Sequence, residues 1–127
     1  MRKTLFVLAA VISLTIAGKA AAHEHEGKDE AQGSMQTITG EVVDLACYLS
    51  AGEMGPNHRE CAQKCITSGL PVGIKSGDQV YLAMTSEHGP ANTLLASLAA
   101  QQVTVEGTVT ERDGVHLIAI KKITLKE

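Results

Sequence analysis

The chain has 127 residues, with 11 Lys and Arg against 14 Asp and Glu and a formal net charge of −3. It contains three Cys and five His, but only two Tyr, one Phe and no Trp. An acidic chain with so few stacking side chains is poorly suited to nucleic acid, anionic lipid surfaces or oligosaccharides, which reward basic charge or aromatic platforms.

The chain opens MRKTLFVLAAVISLTIAGKAAAH. Arg2 and Lys3 form a basic n-region, Leu5 to Ile16 an apolar core, and Ala20-Ala21-Ala22 an A-x-A cleavage signal. This pattern predicts a secretory signal peptide over residues 1–22, because the apolar run is short for a membrane span. An uncleaved anchor is the alternative. No cysteine directly follows the apolar core to carry a lipid. The expected location is therefore periplasmic or secreted, with no stable membrane insertion after cleavage. Removing the leader leaves 105 residues starting at His23, with 8 Lys and Arg against 14 Asp and Glu, a net charge of −6. That length supports one domain with a modest core. Export also places the cysteines in an oxidising compartment, where unpaired thiols become oxidised or metal-bound.

Residues 23–36, HEHEGKDEAQGSMQ, bury too little apolar surface to repay ordering and predict a flexible tail. If cleavage follows Ala22, the free α-amino group and imidazole of His23, joined by His25, form a second candidate metal site suited to Cu(II) or Ni(II). A solvated acidic tail is the alternative reading.

A folded domain is expected over residues 37–127. Its first strand starts near Thr37 in ITGEVVDLACY, with Gly40 marking a bulge or sharp coil and Cys47 at the strand's end. After the loop SAGEMGPN, Asn57 as N-cap with Glu60 three residues on predicts a helix over His58–Ser68, stopped by Gly69 and Pro71. Residues 72–75 and 79–85 predict a hairpin turning at Ser76-Gly77-Asp78. Next, EHGPANTLLASLAAQ predicts a second helix starting near Pro90, with Leu94, Leu95, Leu98 and Ala99 at helical spacing. The final stretch reads as two alternating strands joined at Arg112-Asp113-Gly114.

Five strands and two helices in this order predict a mainly β fold. It is an OB-like five-stranded Greek-key barrel with a Cys/His-bearing helical insertion between strands 1 and 2, at about residues 47–70. Gly40 and Gly107 fall at similar places in the first and fourth strands, where glycine lets a coiled strand bend around a small barrel. The phrases ITGEVVD and VTVEGTVTERDGVHLIAIKKI resemble the opening strand and closing hairpin of small exported bacterial OB-fold proteins. The resemblance implies the fold and carries over no functional residues.

Chemistry concentrates in CYLSAGEMGPNHRECAQKC, residues 47–65, which hold every cysteine and one histidine. On the predicted helix His58, Cys61 and Cys65 stand at i, i+3 and i+7, on one face at about 100° per residue. Cys47 reaches that face if the loop folds the helix back across the barrel. Cys47, His58, Cys61 and Cys65 then form a Cys₃His ligand set of the kind that holds zinc, and that also suits Cu(I). Met54 in the same loop offers a thioether that would tilt the site toward copper, or simply packs on the barrel end.

The alternative is a disulfide of Cys47 with Cys61 or Cys65, which would staple the insertion to the barrel at a gain of roughly 3 kcal/mol and leave an odd thiol. Such a stapled module would recognise a partner protein. A third reading is thiol–disulfide redox chemistry, which requires an exposed thiol of depressed pKa. The sequence has neither C-x-x-C-H for haem attachment nor C-x-x-C, and no hydrolase, Walker or dinucleotide motif, so nothing in it asks for catalysis. His88 reads as a turn residue and His116 as a surface strand residue.

Overall fold

The computed structural model describes residues 33–127. The expected leader, the His23/His25 site and most of the expected tail lie outside the described residues. The strands are β1 (Ser34–Asp44), β2 (Val72–Ser76), β3 (Gln79–Thr85), β4 (Gln102–Arg112) and β5 (Val115–Leu125). They close a barrel in the order β1-β2-β3-β5-β4, with β4 returning to β1. Every pairing is antiparallel except β3 with β5, where Tyr81 to Thr85 run parallel to His116 to Ile120. This is the strand order of an OB-like barrel. Closure leaves the five strands no free edge, and among the described residues no helix is long and apolar enough to cross a membrane.

β1 closes the barrel by serving two neighbours in turn. Residues Ser34 to Glu41 pair with β4, and Glu41 to Asp44 pair with β2. The changeover falls at Gly40, where a Cβ would lie 2.3 Å from the carbonyl oxygen of Lys75. Gly107 does the same job in β4: a Cβ there would meet the carbonyl oxygen of Ala119 at 2.3 Å, beside the register shift at Glu106/Gly107. The two glycines therefore permit the backbone approach that the coiled strands need. The strand begins at Ser34, three residues ahead of the expected Thr37, because β4 offers pairing partners as far as Val109.

Alternation fills the interior. Ile38, Val42, Ile74, Ala83, Val103, Val105, Val109, Ile118 and Ile120 form the barrel core, and Ala62, Ile66, Ala91, Leu95 and Ala99 join the same cluster from the helical segments.

Among the described residues there are three α-helices rather than the two expected. The unexpected one is α1 (Leu45–Ala51), which takes over the stretch assigned to the end of the first strand. Asp44 is its N-cap, with Oδ1 accepting from the Cys47 N–H at 2.8 Å, and Gly52 (φ 73°) ends it by donating to the Tyr48 carbonyl. The cap satisfies an orphan donor of the first turn, which outweighs the strand preference of a short apolar run. The cysteine-bearing helix α2 spans Arg59–Thr67 and is preceded by a 3-10 turn over Pro56–His58. Its N-cap is His58, without a side-chain cap bond, so the capping role expected of Asn57 is not realised. Its C-terminus matches the expected stop at Gly69. Leu70 N–H donates to Cys65 O and Gly69 N–H to Ile66 O, the paired bonds of a Schellman ending with Gly69 at φ 97°. The third helix shrinks to α3 (Asn92–Leu95) followed by a 3-10 turn at Ala96–Leu98.

Candidate metal centre

The insertion between β1 and β2 is held from three directions. Ala62 and Ile66, one turn apart on α2, are buried in the core and set how the helix is rotated. The Asn92 side-chain amide donates to the carbonyls of Ile66 (2.8 Å) and Leu70 (2.7 Å), tying the C-terminal end of α2 to α3. Glu41, buried in β1, accepts from the Gly55 N–H and pins the loop between α1 and α2. Cys61 and Cys65 each precede a buried residue by one position, so they form the neighbouring stripe about 100° around the helix. Cys61 is exposed and Cys65 half-buried.

Cys47 meets that stripe from α1. The sulfurs of Cys47, Cys61 and Cys65 all lie within 4.8 Å of one another, and none is in a disulfide. The sequence places these three together correctly, but Cys47 arrives on the third residue of a capped helix and not on a strand end. His58 sits differently from the expected four-residue set. It groups with Asp44 and Cys47, whose ligating atoms also lie within 4.8 Å of one another. The cause is a contact between His58 Nε2 and Asp44 Oδ2 at 3.0 Å, with Glu53 4.0 Å from Nδ1. His58 closes the 3-10 turn and stands as the N-cap of α2, ahead of Cys61 and Cys65. Met54, in the loop between the two helices, is 41% exposed.

Asp44 is the residue that the sequence reading passed over. Its side chain is fully buried, yet one oxygen caps α1 and the other faces His58. An Asp three residues ahead of a Cys and followed by an apolar stretch is an N-cap signal that could have found both the helix and the carboxylate.

The local electrostatics favour the protonated thiols of Cys47 and Cys65 when no cation is present. Burial, then the hydrogen bond and charge of Asp44, then Cys65, push the Cys47 thiol up to about 12. The Cys65 thiol is also pushed up, chiefly by burial and then by the charges of Asp44 and Cys61, against an opposing hydrogen bond from Cys47. A redox or nucleophilic cysteine needs the opposite shift, so neither Cys47 nor Cys65 is the depressed thiol that redox chemistry would require. A metal cation reverses this balance, because it favours the thiolate directly.

A concavity of about 750 Å³ lies on a different face of α1, between Leu45 and Leu49 and the barrel residues Val80, Leu82 and Val115. It is apolar, and Cys47, Cys61 and Cys65 do not line it. His116 lies at its rim, 5.6 Å from the Tyr81 ring between centroids and 3.7 Å from Glu111, and His88 is an exposed turn residue. No family model, curated protein or solved structure matches the chain.

Proposed function

We propose that this is an exported, non-catalytic metal-binding protein that takes a thiophilic ion, zinc or Cu(I), on Cys47, Cys61 and Cys65, with His58 beside them. The observation that carries the proposal is the convergence of three unbonded sulfurs within 4.8 Å, drawn from two helices that are independently capped and packed. Zinc–sulfur bonds are about 2.3 Å and place tetrahedral donors about 3.5 to 4 Å apart, so contraction of at most about 1 Å closes the triad on an ion. The leader-like segment at residues 1–22 supports export, where a bound ion would protect the thiols from oxidation.

The test is non-denaturing mass spectrometry of the reduced protein after exposure to zinc or Cu(I) and removal of excess ion. The expected result is a retained ion that is weakened or lost in Cys61→Ser and Cys65→Ser. A protein that retains no ion, or retains it regardless of these substitutions, overturns the proposal. Thiol counting before and after a chelator separates it from the disulfide-stapled, partner-binding reading. Three thiols released by the chelator support the metal, whereas one thiol before and three after a reductant support the staple.

A further inference from the structure

We propose that the insertion is a two-ion site in which the Cys47 thiolate bridges two divalent, zinc-like cations. One ion is held by Cys47, Cys61 and Cys65, and the other by Asp44, Cys47 and His58. The inference rests on the metal-binding reading above and gives that site its stoichiometry and its second half.

Two observations carry it. The donors fall into two triads, each within 4.8 Å internally, with Cys47 as their shared member. His58 is directed to Asp44, at 3.0 Å, so it completes an N/O/S set alongside the thiolates. A thiolate has more than one lone pair and can serve two cations at once, and the mixed N/O/S triad suits zinc as well as the all-sulfur one does.

Charge favours the second ion. Three thiolates and the Asp44 carboxylate sum to four negative charges, with Asp44 fully buried. One divalent cation leaves two negative charges uncompensated in a partly dry site, and two cations neutralise the set. Uncompensated buried charge is costly, and a second cation removes that cost. Each thiol releases its proton to solvent as its thiolate takes up metal, so no oxidant or reductant is involved.

The experiment loads the reduced protein with zinc, reads stoichiometry by non-denaturing mass spectrometry, and repeats the titration with Co(II), following the thiolate-to-cobalt absorption. The wild type should hold two ions. His58→Ala should hold one and keep strong sulfur-to-cobalt absorption. The Cys61→Ser/Cys65→Ser double variant should hold one with much weaker absorption, and combining it with His58→Ala should leave none. Circular dichroism on each variant confirms folding, and His58→Gln serves as a milder second variant should His58→Ala fail to fold. A wild type that saturates at one ion overturns the two-ion proposal while leaving metal binding intact. A wild type that binds none overturns both.

Discussion

Asp44→Ala isolates the group on which both helix and cluster depend. In the wild type its carboxylate accepts from the Cys47 N–H at 2.8 Å and lies 3.0 Å from His58 Nε2, with its own side chain fully buried. Truncation removes an N-cap, which costs about 1 kcal/mol. It also leaves the largely buried His58 ring nitrogen without its partner, which costs about 1 to 3 kcal/mol. The metal-free, reduced variant should therefore lose about 2 to 4 kcal/mol, summing those two contributions. Asp44→Asn, which preserves a cap acceptor, should lose clearly less while still removing the anionic oxygen from the cluster. Urea denaturation at neutral pH measures both, with the slope of the transition checked for constancy. An Asp44→Ala protein within about 0.5 kcal/mol of wild type would refute the reasoning, because changes of that size are typical of positions with no structural role.

Three further outcomes follow from the same geometry. In the reduced, metal-free protein at about pH 8, iodoacetamide should label exposed Cys61 well before Cys47, whose labelling should rise only as the pH approaches about 12. Since the folded Cys47 pKa lies above its ordinary value of 9.0, its contribution to stability is complete below about pH 9 and is lost as pH rises toward about 12. The stability advantage over Cys47→Ser should therefore shrink between about pH 8 and 10.5, and an advantage that grows over this range would contradict the assignment. Ile66→Ala removes a side chain with no solvent exposure that anchors α2, and should cost about 2 to 5 kcal/mol in urea unfolding. It should also weaken zinc retention, and unchanged zinc affinity would show that α2 packing does not position Cys61 and Cys65.

The barrel was legible from the sequence because its signals are local and repeated. Alternation in VTVEGTVT, the Asp113-Gly114 turn and glycines at positions 40 and 107 each report the same two-residue period or the same need to bend. The thiol cluster was legible as composition, and Cys61 and Cys65 could be aligned by counting along a helix. What was hidden was tertiary. The hydrophobic pattern of LACYLSA suits a strand as well as a helix, and only the bonds from Asp44 and Gly52 decide for α1. His58 could not be assigned by helical spacing, because its position is set by a 3-10 turn and by a carboxylate fourteen residues upstream.

The shared strand β1 has a consequence for when the centre can exist. Cys47, Cys61 and Cys65 are neighbours in the chain, and a nascent insertion could bring them near one another early. Asp44, however, is the last residue of a strand whose other pairings, such as Ile38 with Val105, join distant parts of the chain. Pairings of that separation form slowly, since their loop entropy must be met before they reward the fold. The cap, and with it the seat of Cys47, therefore matures only as the barrel shuts. On the metal-binding proposal, an ion held with full affinity would act as a timer, registering that the last seam of the barrel has closed.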